Sequence, residues 1–355
     1  MNSTGIYEDL RAFMDKLPSG FPKTDSGVEI KILKKLFTPA QAELFMMLSM
    51  EPETVEKISN RIGLEPSLLE PKLEEMAIKG LIFRDREEEQ VRYQAFHFII
   101  GIYEFQLNTI DKELAEMIEE YLPHFGMALA GAGVKTKQLR VAPVMSAIDN
   151  ASPVADYNMI REVVKNQEII SVQNCICRKE QGLLGKHCEY PQETCLGFGK
   201  FGQYYIDNKM GRKIDVSEAM RILDLAEKSG LILSPSNTKD LACICCCCPC
   251  CCPTMKYSKF SPRPVEMFKT YFQSHIDPEL CTSCQECFER CPMEAIQEGS
   301  GTSEINKDRC IGCGLCVSVC PENAISLQPI PGVEDPPECL EDTFQRIKEE
   351  RNVRR

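Results

Sequence analysis

The chain contains no tryptophan and only four histidines in 355 residues, so zinc-hydrolase and haem centres, which lean on imidazole, are poorly supplied with ligands. Long apolar runs are missing too. "FHFIIGIYEF" at 97–106 is interrupted and shorter than the ~20 residues a membrane helix needs. The opening "MNSTGIYEDLRAF" has neither a basic nor an apolar leader region, which reads as no export signal and a cytoplasmic protein. Nucleotide-binding glycine patterns are incomplete: "GAG" at 131–133 is not a GxGxxG, and "GLLGK" at 182–186 lacks the Ser/Thr of a phosphate loop. With no flavin or nicotinamide motif, a self-contained reductase is not expected. Positive charge is also short, at 41 Lys and Arg against 53 Asp and Glu. The formal charge of -12 argues against broad binding to nucleic acid or membrane and favours a partner with a basic surface.

Cysteine is what the chain has in excess, with 21. At close, regular spacings inside a cell such residues more often bind metal than form disulfides. The clearest pattern is a duplication. "CTSCQECFERCP" places Cys281, Cys284, Cys287 and Cys291 before Pro292, and "CIGCGLCVSVCP" places Cys310, Cys313, Cys316 and Cys320 before Pro321. The flanks repeat as well, "IDPEL" against "INKDR" and "EAI" against "NAI". Three thiolates on one tight loop suit three irons of a cubane.

These runs resemble a bacterial-type ferredoxin domain with two [4Fe-4S] clusters, covering about 55 residues. The resemblance implies one cluster on Cys281, Cys284, Cys287 and Cys320 and another on Cys310, Cys313, Cys316 and Cys291. It implies electron transfer. Within 276–330 nine acidic residues face three basic ones, which suits docking to a redox partner with a basic surface.

Upstream, "TPAQAELFMMLSM", "PETVEKISNRIG" and "SLLEPKLEEMAIKG" read as three helices. Thr38 and Pro39 open the first, Gly63 and Gly80 end the other two, and Pro71 is expected to delay the third. "LIFRDREEEQVRYQAF" reads as two strands around a charged turn. This order resembles a winged-helix domain. DNA binding is possible but disfavoured, because Glu70, Glu74 and Glu75 load the third helix. Against that, Lys31, Lys34, Lys35, Arg61, Arg84, Arg86 and Arg92 offer a basic face.

Between these ends, "IDKELAEMIEEYL" and "ASPVADYNMIREVVKNQ" are expected helices. "DVSEAMRILDLAEKSG" is another, capped by Asp215 with Glu218 and stopped by Gly230. "IISVQNCICR" reads as a strand with Cys175 and Cys177 on one face, and with Cys188 and Cys195 it completes a four-cysteine set for a third [4Fe-4S] cluster. Buried free cysteines or zinc are the plainer alternatives. Arg178 and Lys186 would offset an anionic cluster, whereas His187 reads as a surface residue.

"CICCCCPCCCP" at 243–253 follows in the hairpin "LILSPSNTKDLACIC". Extended, it turns Cys243, Cys245 and Cys247 one way and Cys246 and Cys248 the other, with Pro249 and Pro253 breaking the strand. Its candidate ligands are Cys245, Cys248, Cys250 and Cys251. A fourth cluster or other metal, ligation shared with the Cys175 set, and apolar packing all remain open. So many neighbouring thiols imply an anaerobic or reducing setting. Cys339 stands alone.

The expected fold class is α+β and multidomain. A winged-helix-like N-terminal domain occupies 1–96, a helical region 97–165 and a mixed α/β cysteine-rich middle domain 166–253. A linker at 254–275, basic and aromatic, packs the ferredoxin-like C-terminal dicluster domain at 276–330 against the rest, and 331–355 is a tail. The function read from this is an electron-transfer protein or subunit serving a partner oxidoreductase. The alternatives are a redox-responsive regulator and an enzyme working at the middle cysteines.

Overall fold

The computed structural model describes residues 3–87, 90–144, 147 and 159–352. Helices α1 (Ser3–Met14) and α2 (Val28–Leu36) precede α3 (Pro39–Met46). The Thr38 hydroxyl accepts the Gln41 N–H and the Gln41 side chain reaches back to Thr38 N–H, so the start of α3 is fixed by a reciprocal cap. Strand β1 (Glu53–Thr54) leads into α4 (Val55–Ile62), which Gly63 closes at φ 73. After α5 (Pro66–Ile78) come β2 (Phe83–Glu87) and β3 (Gln90–Gln94), antiparallel, in a sheet ordered β1-β3-β2. The turn tip at 88–89 lies outside the described residues. Pro71 does not delay α5, which is helical from Pro66. A proline there forfeits one backbone bond, and buried Leu69, Leu73, Met76 and Ala77 hold the rest of the helix to the core.

α6 (Lys112–Gly131) contains the expected acidic helix and runs past it. α7 (Ile160–Lys165) is the described end of the next expected helix, and the stretch before it, 151–158, lies outside the described residues. The middle part then runs β4 (Ile170–Asn174), α8 (Ile176–Leu183), β5 (Glu193–Phe198), α9 (Gly199–Asp207), β6 (Gly211–Ile214), α10 (Val216–Ser229), β7 (Ile232–Pro235) and β8 (Cys243–Cys247). Its five strands form an antiparallel sheet ordered β6-β4-β5-β8-β7. The Asp215 cap, the Gly230 stop and the β7–β8 hairpin all form where the sequence puts them. One expectation fails: the strand stops at Asn174 rather than carrying Cys175 and Cys177. Its pairing with β5 shifts register at Gln173/Asn174, and the Lys179 N–H then bonds the Cys175 carbonyl to start α8.

The N-terminal and middle parts share one core. Phe83 lies 4.7 Å from Phe201 and 4.9 Å from Tyr204, ring centre to ring centre, and both partners are on α9.

α11 (Pro253–Ser258) leaves the cysteine run, and the C-terminal unit follows as β9 (Phe272–Ile276), α12 (Glu286–Arg290), β10 (Ile296–Glu298), β11 (Ser303–Ile305) and β12 (Ile325–Pro329). β9 pairs with β12 and β10 with β11, so residues 272–275, expected in the linker, belong to the C-terminal unit's sheet. The linker's bases hold it to its neighbours: Lys256 to Glu119 at 2.7 Å, Lys259 to Glu294 at 2.8 Å and Arg263 to Asp308 at 3.1 Å. The tail is mostly helix α13 (Leu340–Asn352), and Arg351 donates to the Leu17 carbonyl at 2.6 Å, which returns the tail to α1. No described helix is long and apolar enough to cross a membrane.

Candidate metal centres

The duplication is repeated in the backbone. Ser283 and Gln285 have φ of 54 and 67, and Gly312 and Gly314, 29 residues on, have 69 and 75. Glu294 and Asn323, at φ 53 and 52, repeat the bend after each Cys-Pro. Such left-handed turns wind each loop so that its thiols point inward. One hollow is lined by Cys281, Cys284, Cys287 and Cys320, the other by Cys310, Cys313, Cys316 and Cys291. The two hollows are equal in size. Each loop's fourth cysteine thus faces the other loop's hollow, as the resemblance implies. Ala295 N–H points at Cys291 Sγ at 3.3 Å and Ala324 N–H at Cys320 Sγ at 3.2 Å. These donors suit sulfur that carries negative charge, so the residues fit a cubane in each hollow.

The surroundings differ. Cys284 is exposed, and backbone donors from Ser303 and Ser283 hold the Cys281 thiol below its ordinary range. Cys310, Cys313 and Cys316 are all buried, and burial pushes Cys316 up to about 12. Ser274 on β9 adds a backbone N–H to Cys310 Sγ and a hydroxyl contact to Cys316 Sγ, each at 3.4 Å. This inner loop packs into an apolar layer with Val141, Val144, Ile232 and Met255, which also takes in Cys247 and, at its edge, Cys245 and Cys252.

The middle cysteines form two groups. In the first, Cys175 caps the start of α8 with Cys177 in its first turn, Cys195 is on β5, Cys245 and Cys247 are on β8, and Cys252 caps α11. The thiols are near neighbours in series: Cys175 beside Cys177 and Cys195, Cys195 beside Cys245, Cys245 beside Cys247, and Cys247 beside Cys252. Cys252 also lies within electrostatic reach of Cys177, so the six thiols form one group, called the six-thiol ring below. The neighbouring Cys177 and Cys195 thiols, with Arg178 nearby, hold the Cys175 thiol well below its ordinary range. In the second group Cys188, Cys248, Cys250 and Cys251 bring their sulfurs within 4.8 Å of one another.

Against the two sets read from the sequence, Cys188 and Cys245 have changed places. The β5–β8 ladder pairs Leu196 with Ile244, which sets Cys195 opposite Cys245. The chain after α8 carries Cys188 instead to the turn beyond β8, 3.7 Å from Cys250. Cys247 and Cys252 join the first group although neither was among the candidate ligands. For Cys247 the signal was present in the alternation with Cys243 and Cys245. Cys246, on the opposite face, is buried in the core beneath the sheet, and Cys339 holds the first turn of α13 through its carbonyl.

Arg178 lies buried between the groups. Its Nη2 donates to the Cys246 carbonyl at 2.9 Å and to Thr194 Oγ1 at 2.6 Å, while its buried Nε has no hydrogen-bond partner among the described residues. A buried cation with a spare donor, facing thiols on two sides, fits anionic metal–thiolate centres. His187 plays no part in either group.

A cavity also opens onto Cys195, Cys243 and Cys245, between Glu104, Gln173, Phe201 and Tyr205. Burial pushes the Glu104 carboxyl up to about 8, against the Gly101 N–H that donates to it at 2.6 Å.

A family model described as a 4Fe-4S dicluster domain matches residues 274–327, and a second with the same description matches 305–350. Comparison with curated proteins and with solved structures gives no match. The C-terminal part of the chain is therefore a dicluster domain for two [4Fe-4S] clusters, accompanied by further cysteine groups, and the chain is an iron–sulfur protein with an electron-transfer role.

Proposed function

We propose that the protein relays low-potential electrons from the outer ferredoxin cluster (Cys281, Cys284, Cys287, Cys320) to the inner one (Cys310, Cys313, Cys316, Cys291). From there they pass to a third cluster held by the six-thiol ring and on to a partner oxidoreductase. The observation that carries this reading is the apolar layer shared by Cys310, Cys313 and Cys247, with Cys245 and Cys252 at its edge. It joins the inner loop to the ring through packed side chains rather than water. The outer loop keeps exposed Glu279, Glu286 and Glu289, which suit a partner with a basic docking surface. Anaerobic counting of iron and sulfide tests the third cluster. About twelve irons per chain are expected, falling to about eight in Cys175→Ala with the ferredoxin EPR signals intact. About eight in the wild type would sink the third cluster.

A second reading, an enzyme acting at the middle cysteines, is favoured by the cavity that opens onto Cys195, Cys243 and Cys245 beside Glu104 and Tyr205. A small molecule that perturbs the third cluster's EPR in wild type but not in a variant with Phe201→Trp filling the cavity would support it.

The N-terminal order α3, β1, α4, α5, β2, β3 supports a winged-helix-like reading. Docking suits it better than DNA. Arg84 and Arg86 are paired with Glu74 and Asp207, Arg61 with Glu53, and Lys35 with Asp111, which removes much of the basic face. Redox-dependent, promoter-specific gel shifts would reverse this in favour of a regulator.

A further inference from the structure

We propose that Cys188, Cys248, Cys250 and Cys251 hold a single tetrahedral zinc ion, a closed structural site distinct in kind from the clusters. Spacing carries the argument. With metal–sulfur bonds of about 2.3 Å, a tetrahedral ion sets its four sulfurs about 3.8 Å apart. Cys188 and Cys250 stand 3.7 Å apart, Cys250 and Cys251 also 3.7 Å, and all four sulfurs fall within 4.8 Å of one another. A cubane demands more room, because each thiolate sits on its own iron and a whole iron–iron edge separates neighbouring thiolates.

The ferredoxin loops supply an internal measure. Neither of their four-cysteine sets is gathered that closely, and among the described residues the tetrad is the group of this tightness. The six thiols of the first group likewise include no set of three or more gathered within 4.8 Å of one another among the described residues. Four thiolates around one ion also leave no open coordination position, the mark of a structural rather than a catalytic zinc.

The site's position gives it work. Cys188 lies on the loop between α8 and β5, and Cys248, Cys250 and Cys251 lie on the turn between β8 and α11. Joining them fixes two loops, one running between the elements that carry Cys177 and Cys195, the other between Cys247 and Cys252. Loading is balanced as four thiols plus one divalent ion giving a tetrathiolate of charge -2 and four protons, with Arg178 buried close by to offset part of that charge.

The full chain, isolated anaerobically, is analysed for zinc and iron by mass spectrometry, and its zinc edge is measured by X-ray absorption. One zinc per chain with four sulfur neighbours near 2.3 Å is expected. Cys250→Ser should lose that zinc while keeping its full complement of iron and its ferredoxin EPR signals. Those signals report that the variant has folded, independently of the relay. Cobalt supplied in place of zinc should give the visible bands of tetrahedral cobalt thiolate in wild type and not in the variant. A loss of about four irons from Cys250→Ser would overturn the proposal in favour of a cluster. One iron in place of zinc would overturn the metal, and zinc content unchanged by the substitution would overturn the ligands.

Discussion

The two ferredoxin loops share a backbone and differ in what surrounds them. Their left-handed positions coincide, 283 with 312, 285 with 314 and 294 with 323, and so do their N–H to sulfur contacts, Ala295 to Cys291 and Ala324 to Cys320. Yet the outer loop fills two of those positions with Ser283 and Gln285, and the inner loop fills them with Gly312 and Gly314. Conformation alone would favour glycine equally in both. Crowding breaks the tie: a Cβ at Gly312 would stand 2.1 Å from the Phe272 carbonyl oxygen, and one at Gly314 would stand 2.4 Å from Ala147 Cβ. The outer loop faces solvent and tolerates side chains. A duplicated loop has therefore been divided by burial into a surface member and an interior member, which matches a relay with one end for a partner and one end for the middle domain.

The sharpest break of that comparison is Gly312→Ala against Ser283→Gly. The first forces a Cβ into backbone at positive φ, and a loss on the order of 3 kcal/mol with about four irons gone is expected from overpacking and strain together. The second relieves a left-handed serine, and no loss of iron is expected. Thermal melts with iron counting check both. Equal effects at the two loops would remove the asymmetry.

Ser274→Ala sharpens the comparison electronically. Its hydroxyl contacts Cys316 Sγ, and hydrogen bonds to sulfur favour the more negative, reduced cluster. Losing the hydroxyl should lower the inner potential by on the order of 50 mV and leave the outer one unchanged. Potentiometric EPR resolves the two clusters.

The ferredoxin unit was legible because three of each set's four ligands lie within one short loop and the repeat states itself twice. Caps at Thr38, Asp215 and Gly230 were legible for the same reason, since each acts over three or four residues. The middle cysteines were not. Which thiol meets Cys195 depends on the β5–β8 register, and where Cys188 goes depends on how the chain returns after α8. Both are long-range facts that spacing along the chain does not encode. The strand reading of "IISVQNCICR" also assigned a shared face to Cys175 and Cys177. They do become neighbours, but at the start of a helix, where the backbone turns and brings the two thiols together.

Acid should divide the molecule unequally. Burial works against the Glu119 carboxylate, but hydrogen bonds from Lys186 and Lys256 hold it down to about 2. A carboxyl lowered on folding contributes stability that is complete above its ordinary value near 4.5 and is lost as pH falls toward 2. Lys186 precedes Cys188 and Lys256 follows Cys252, so the loss falls on the middle cysteines and spares the outer loop. Glu119→Gln should cost about 1–2 kcal/mol at neutral pH and flatten the acid limb between those values. Acid titrations followed by circular dichroism, with each cluster's absorbance recorded, separate the two ends.

The smallest expected effect concerns surface charge, and it tests whether the outer end is the docking end. Glu286 and Glu289 are exposed beside the outer loop, whereas Glu294 and Asp308, on the inner side, are already paired with Lys259 and Arg263. Exposed charges change stability by no more than about 0.5 kcal/mol, but they steer encounters in a way that salt screens. Glu286→Gln with Glu289→Gln should therefore leave iron content and melting unchanged while slowing reduction by a basic electron donor severalfold at low salt, with the difference vanishing at high salt. Glu294→Gln should change neither rate nor salt slope, because its charge is spent on Lys259. Stopped-flow reduction across ionic strength reads both, and an equal response from the two sides would mean that partners do not choose the exposed loop.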